Sequence, residues 1–150
     1  MKLLIIEDDI NKQNAICSFI AKRTNFDYDT CSSYHSGLKT LLKGEYDLLL
    51  LDMSMPVYDA TAQETGGRPL ALAGRDILFQ IRRRKSSLRV IIVTQYESFD
   101  GLSLSSLKDN LKKEFPNNYL ESVYYSITQD AWQEELETLL RNYYGDEVLK

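Results

Sequence analysis

Two groups of acidic residues, far apart in the chain, have the types and placement to share one piece of chemistry. Glu7, Asp8 and Asp9 follow directly on the apolar run Leu3-Leu4-Ile5-Ile6, and Asp52 follows directly on Leu48-Leu49-Leu50-Leu51. Thr94, with Gln95 behind it, closes a third run, Val90-Ile91-Ile92-Val93. Continuous apolar runs this short are the pattern of parallel strands buried on both faces. In a sheet of such strands, ligands lie beyond the carboxyl ends, near the point where strand order reverses. Carboxylates gathered there repel and raise one another's pKa values. A hard divalent cation with oxygen ligands removes that cost, and Mg²⁺ typically takes one or two carboxylates together with waters and phosphate oxygens. A carboxylate beside such a metal is a competent phosphoryl acceptor, because it needs no deprotonation near neutral pH and the metal offsets charge on the phosphoryl oxygens. Asp52 is the central candidate for that role. The Thr94 hydroxyl is placed to donate a hydrogen bond to a phosphoryl oxygen and so to sense whether one is present.

The elements that must position these residues alternate between strand runs and helical spacing. After the first run, Ala15, Ile16, Phe19 and Ile20 recur at helical spacing in a segment ending near Arg23. A strand over Tyr28 to Cys31 and a short helix capped by Ser36, carrying Leu38, Leu41 and Leu42 and stopping at Gly44, lead to the leucine run. From about Val57 to Gly74 the residues are small and polar, with two adjacent glycines and Pro69, and read as a long loop. The pattern then predicts a helix over Asp76 to Lys85, the strand ending at Thr94, a helix marked by Leu104, Leu107 and Leu111 and closed before Pro116, and a fifth strand over Val123 to Ile127. Trp132, Leu136, Leu139 and Leu140 mark a final amphipathic helix, with Asp130 as its cap. Five alternations argue for a doubly wound α/β sandwich around a five-stranded parallel sheet, as one domain over 1–150 with an inserted loop at about 57–74.

IIEDD after the first strand, LLLLDMSMP at the third and VIIVT at the fourth resemble the receiver domains of two-component response regulators. The likeness covers nearly the whole chain, and the three motifs fall in the family's order. It implies a flavodoxin-like three-layer sandwich. It further implies that Glu7 and Asp8 are an acidic Mg²⁺-binding pair, that Asp52 is the phosphoacceptor and a metal ligand, and that the backbone carbonyl of Ser54 is another. Pro56 matches the family's proline, Thr94 its switch hydroxyl and Tyr124 its switch aromatic. The implied partners are a histidine kinase or phosphotransfer protein upstream and a separate protein downstream, with a homodimer left open. Enzymatic activity would go no further than autophosphorylation and autodephosphorylation on Asp52.

The chain departs from that pattern twice. Receiver domains carry a lysine at the end of the fifth strand, but here the position falls on Ile127 or Ser126, and the nearest upstream lysine, Lys113, belongs to the preceding helix. The loss removes a fixed cation from a site that gathers negative charge. The loop from 57 to 74 exceeds the family norm by about a dozen residues, and long loops in compact domains are commonly functional. Either a lid over the acidic pocket or a partner-binding element suits it. An interaction module with the receiver fold and no phosphorylation is the alternative reading. A phosphatase with an aspartate nucleophile needs a second acid shortly after it, which Met53 and Ser54 do not offer.

Other residues have plainer readings. Asp9 is a helix cap, Trp132 packs its helix on the sheet, and Arg82, Arg83, Arg84 and Lys85, with Arg89 nearby, form a solvated helix end. His35, the single histidine, is a surface or helix-entry residue, and no zinc site follows from it. Tyr96 and Phe99 suit either the core or a switching surface. Cys17 and Cys31 read as reduced thiols. Across 150 residues, 43% hydrophobic and 27% charged, the net charge of −4 argues against a nucleic-acid or anionic-membrane surface. With no targeting segment or membrane span in the sequence, the expected location is cytoplasmic.

Overall fold

Four consecutive leucines and three further runs of largely apolar residues build the buried part of a sheet whose edge strand, Asp27–Cys31, is largely exposed. The computed structural model describes residues 1–60, 70–99 and 101–150. In chain order the elements are β1 (Lys2–Ile6), α1 (Ile10–Arg23), β2 (Asp27–Cys31), α2 (Tyr34–Lys43), β3 (Leu48–Leu51), α3 (Ala73–Arg83), β4 (Arg89–Thr94), β5 (Ser98–Phe99), β6 (Leu102–Ser103), α4 (Leu104–Glu114), β7 (Tyr119–Tyr124) and α5 (Ala131–Tyr144), followed by a 3₁₀ turn (Asp146–Val148). The main sheet has the order β2-β1-β3-β4-β7, all parallel. Strand order therefore reverses between β1 and β3, which puts the residues after those two strands at the switch point of the sheet.

Side chains alternate across the sheet and sort the core into two layers. Leu3, Ile5, Leu48, Leu50, Ile91 and Val93 pack with Ile16, Phe19 and Ile20 of α1 and Trp132, Leu136 and Leu140 of α5. Leu4, Ile6, Leu49, Leu51, Val90 and Ile92 pack instead with Ile77, Leu78 and Ile81 of α3 and Leu107 and Leu111 of α4. Glu7 continues the first set on β1 and Asp52 continues it on β3, so both face the α1–α5 layer.

Several boundaries differ from the sequence reading. α2 is capped by Ser33, which accepts from the Ser36 amide while the Ser36 hydroxyl answers the Ser33 amide; Ser36 is the inner half of a capping box, not the cap. α3 runs Ala73–Arg83, not Asp76 to Lys85, because Leu70 pairs with Met55 across the foot of the loop and starts the helix early. The fifth strand of the sheet, β7, covers Tyr119–Tyr124 rather than Val123 to Ile127; Tyr119 and Leu120 are buried and Ile127 is 84% exposed. Asp130 holds the cap position of α5 without a side-chain cap bond. The short hairpin β5–β6 has no counterpart in the expected pattern. Arg82 is pinned, not merely solvated: its guanidinium lies 4.8 Å from the Phe79 ring and 5.0 Å from the Phe115 ring, and it donates to the Glu114 carbonyl. Of the loop expected at 57–74, residues 61–69 lie outside the described residues.

Candidate metal and phosphoryl site

β1 and β3 deliver their acids side by side because they are hydrogen-bonded neighbours in register, with Ile6 opposite Leu51. One carboxylate oxygen each from Glu7, Asp8 and Asp52 lies within 4.8 Å of the others. Glu7 and Asp52 are buried, at 2% and 3% exposure, and Asp8 is open to solvent. The Asp52 amide donates to the Ile6 carbonyl, and the Met53 amide donates to Asp52 Oδ1 at 2.8 Å. Gly74, at the start of α3, closes the far side. A Cβ there would meet the Asp52 carbonyl oxygen at 2.7 Å, so the close approach of helix to strand end requires glycine. Asp9 caps α1, accepting from the Lys12 amide, and its own amide donates to Glu7 Oε1.

The residue that sequence reasoning missed is Lys12. It is 1% exposed, and its ammonium group sits 2.6 Å from Glu7 Oε2, 3.2 Å from Asp52 Oδ1 and 2.7 Å from the Val93 carbonyl. The Tyr125 ring centroid is 5.9 Å away. Two signals in the sequence pointed to it. It stands one turn before Ile16, on the inward face of α1, and it occupies a first helical turn, where the backbone dipole disfavours a cation. Gln13 was missed as well; its amide donates to the Glu7 carbonyl at 2.9 Å and fixes the end of β1.

The electrostatics show a cluster short of positive charge. Burial pushes the Glu7 carboxyl up to about 8, with the Asp52 charge adding to it and Lys12 only partly offsetting it. Burial also raises Asp52, again against the pull of Lys12, and raises Asp8. For Lys12 burial works against the charge, but Asp52 and Glu7 outweigh it and hold the ammonium above its usual range. Among the described residues, Glu7 Oε2 is buried with no partner in hydrogen-bonding geometry, despite the ammonium beside it. A Mg²⁺ ion fits this donor set: hard oxygen ligands, an unsatisfied buried carboxylate oxygen, and three acids set against one ammonium, which a dication would neutralise.

The remaining expected residues lie in two places. Ser54 is half-buried in the bend two residues past Asp52. Thr94 ends β4, fully buried, opposite Tyr124 at the end of β7, and its hydroxyl accepts from the Tyr96 amide at 3.2 Å. Tyr124 is 40% exposed. The alternation along β4 turns Thr94 toward the layer opposite Lys12. On the far side of the pocket, the Tyr34 and His35 amides at the start of α2 donate to the Pro56 and Val57 carbonyls, and Ser36 donates to Asp59. The first part of the long loop is therefore tied to α2. His35 is exposed there, stacked near Tyr58, and Cys17 and Cys31 are free.

Comparison with known proteins agrees with this architecture. Residues 3–123 match the family model described as the response regulator receiver domain. The chain is 31% identical over 145 residues to the Detocs response regulatory protein DtcB of Enterobacter cloacae, covering 91% of this chain and 95% of that one. It is 30% identical over 141 residues to protein y4jR of Sinorhizobium fredii, covering 89% and 92%. Among solved structures, the signal receiver domain of an HD domain-containing protein from Pseudomonas fluorescens superposes with a TM-score of 0.68 at 14% identity, covering 97% and 95%. The response regulator TrrA of Thermotoga maritima, solved in complex with Mg²⁺-BeF, gives 0.62 at 22% identity, covering 93% and 98%.

Proposed function

The chain belongs to the response regulator receiver family, and on that premise we propose that its Asp52 accepts a phosphoryl group with Mg²⁺ bound. The observation that carries the reading is the convergence of Glu7, Asp8 and Asp52 within 4.8 Å at the switch point of the sheet. Glu7, Asp8 and Asp52, with the Ser54 carbonyl, would hold the metal. Bound there, Mg²⁺ offsets the charge that builds up on the phosphoryl oxygens. Both contacts made by the Asp52 carboxylate fall on Oδ1, from the Met53 amide and Lys12. Among the described residues that leaves Oδ2 as the nucleophile. The donor is a phosphohistidine of a kinase or phosphotransfer protein.

Thr94 carries the readout. Its hydroxyl accepts from the Tyr96 amide and keeps its own proton to donate to a phosphoryl oxygen. Drawing Thr94 toward Asp52 loosens the link to Tyr96 and shifts Tyr124, the exposed aromatic paired with it. The result is a shift between two packings of the β4–β7 edge, read by a separate protein partner.

The test is incubation with Mg²⁺ and a small phosphodonor, followed by intact mass. A phosphoryl adduct is expected on the native chain and absent from Asp52→Asn. An adduct that persists in Asp52→Asn, or none on either chain, sinks the proposal.

A further inference from the structure

Among the described residues, the strand side of the pocket offers Asp52 no cation. Ile127 stands in solvent beyond β7, and the Ser126 hydroxyl meets that of Thr128. The helix side does offer one. Resting on the phosphoacceptor reading of Asp52, we infer that Lys12 is the group that binds the phosphoryl oxygens, so that α1 supplies the cation of this site.

The geometry supports this at each point. A buried lysine in the first turn of a helix is opposed by both desolvation and the helix dipole, so its charge must be held by specific acceptors. Lys12 donates a hydrogen bond to the Val93 carbonyl and lies at ion-pair distance, 2.6 Å from Glu7 Oε2 and 3.2 Å from Asp52 Oδ1. The ammonium is therefore held beside Asp52 before any phosphoryl group arrives. When Asp52 Oδ2 forms its bond to phosphorus, the bond from phosphorus to the donor nitrogen breaks, and the nitrogen leaves with the bonding pair and a proton from solvent. The new phosphoryl oxygens lie next to the ammonium and carry more charge than the carboxylate did. Lys12 turns to them and weakens its present contacts. The Val93 carbonyl is the neutral one and is let go first. Val93 directly precedes Thr94, so the ammonium and the hydroxyl act on consecutive residues of β4, from opposite layers of the sheet.

The experiment compares native protein, Lys12→Met and Lys12→Arg, all in Mg²⁺, by intact mass during incubation with phosphoramidate and by calorimetric Mg²⁺ titration. Lys12→Met should bind Mg²⁺ at least as tightly as the native chain, since a competing cation is gone. Its phosphoryl uptake should fall by about tenfold or more, and Lys12→Arg should recover part of it. A merely structural role would weaken both measurements together. Equal uptake in Lys12→Met and native protein overturns the role of Lys12 while leaving Asp52 as acceptor. Native protein that takes up nothing overturns the Asp52 reading, and the Lys12 assignment with it. A second measurement needs no variant: the side-chain resonance of ¹⁵N-labelled Lys12 should move when beryllofluoride is added to the Mg²⁺-bound protein. A resonance that stays where Mg²⁺ alone put it counts against the proposal, even if Lys12→Met does not fold.

Discussion

The two ends of the sheet bury polar groups on opposite terms. At the amino end the groups are neutral and satisfied. The Asn118 amide donates to the Ser86 and Leu88 carbonyls, while its backbone carbonyl accepts from Val90. The Thr24 hydroxyl donates to Ile20 and accepts from the Phe26 amide, and the Tyr144 hydroxyl donates to the Asp47 carbonyl. At the carboxyl end the groups are charged: the described residues supply one ammonium for two buried carboxylates and leave a Glu7 oxygen unpartnered, and the carboxyl pKa values are raised. Satisfied neutral networks add to stability, whereas an unbalanced buried charge subtracts from it until something binds. One end locks the sheet together; the other is held ready for a ligand.

The comparison breaks most visibly at Lys12. Removing one partner of a buried ion pair costs about 3–5 kcal/mol. Lys12→Met should lose stability of that order in metal-free buffer, measured by urea unfolding, and regain much of it in Mg²⁺. A loss that Mg²⁺ does not repair would show that Lys12 serves packing alone. Metal comes next in size. A ligand at a hundred times its dissociation constant stabilises by about 2.7 kcal/mol, so Mg²⁺ at that level should raise the native midpoint and EDTA should return it. Asp52→Asn should blunt that rise. Asn118→Ala sharpens the contrast from the amino end, because losing two hydrogen bonds to part-buried carbonyls costs about 1–3 kcal/mol. Its midpoint should drop equally with and without Mg²⁺, and phosphoryl uptake well below the midpoint should match the native rate.

What the sequence showed of each end follows from how the signal is encoded. The strand runs, the switch-point acids and Thr94 were legible because continuous apolar stretches mark buried parallel strands and the residues following them must lie together. β7 was misplaced because Tyr119 and Leu120 sit next to Asn117, Asn118 and Pro116, which read as a turn, while the exposed Ile127 looked like strand. Lys12 escaped notice for a different reason. The family pattern puts the cation at a strand end, whereas this lysine lies on a helix, four residues past Asp8. Its role shows only once α1 is packed against β1 and β3. The fold was thus readable from local pattern, and the charge balance of the site was not, since it depends on which helix face meets which strand end.

The pH dependence of stability tests that balance most directly. Glu7 sits at about 8 in the fold, above its ordinary carboxylate value, chiefly because burial penalises its charge. A carboxyl raised in this way binds its proton more tightly folded than unfolded. Its contribution to stability is therefore complete below the unfolded pKa and is lost as pH climbs through the folded one. Metal-free protein should lose stability from about pH 5 to about pH 8, most steeply midway, at about pH 6, where the folded carboxyl is still protonated and the unfolded one is not. Glu7→Gln removes the titrating group and leaves Lys12 paired with Asp52 alone, so its profile should be flatter and should lie above the native one at the alkaline end. Saturating Mg²⁺ should flatten the native profile too, because the ion takes the charge that the proton otherwise neutralises. Denaturant midpoints at four or five pH values, with and without Mg²⁺, decide the matter. A native metal-free profile that rises with pH would mean that Lys12 already balances Glu7, and that the carboxyl end is as well satisfied as the amino end.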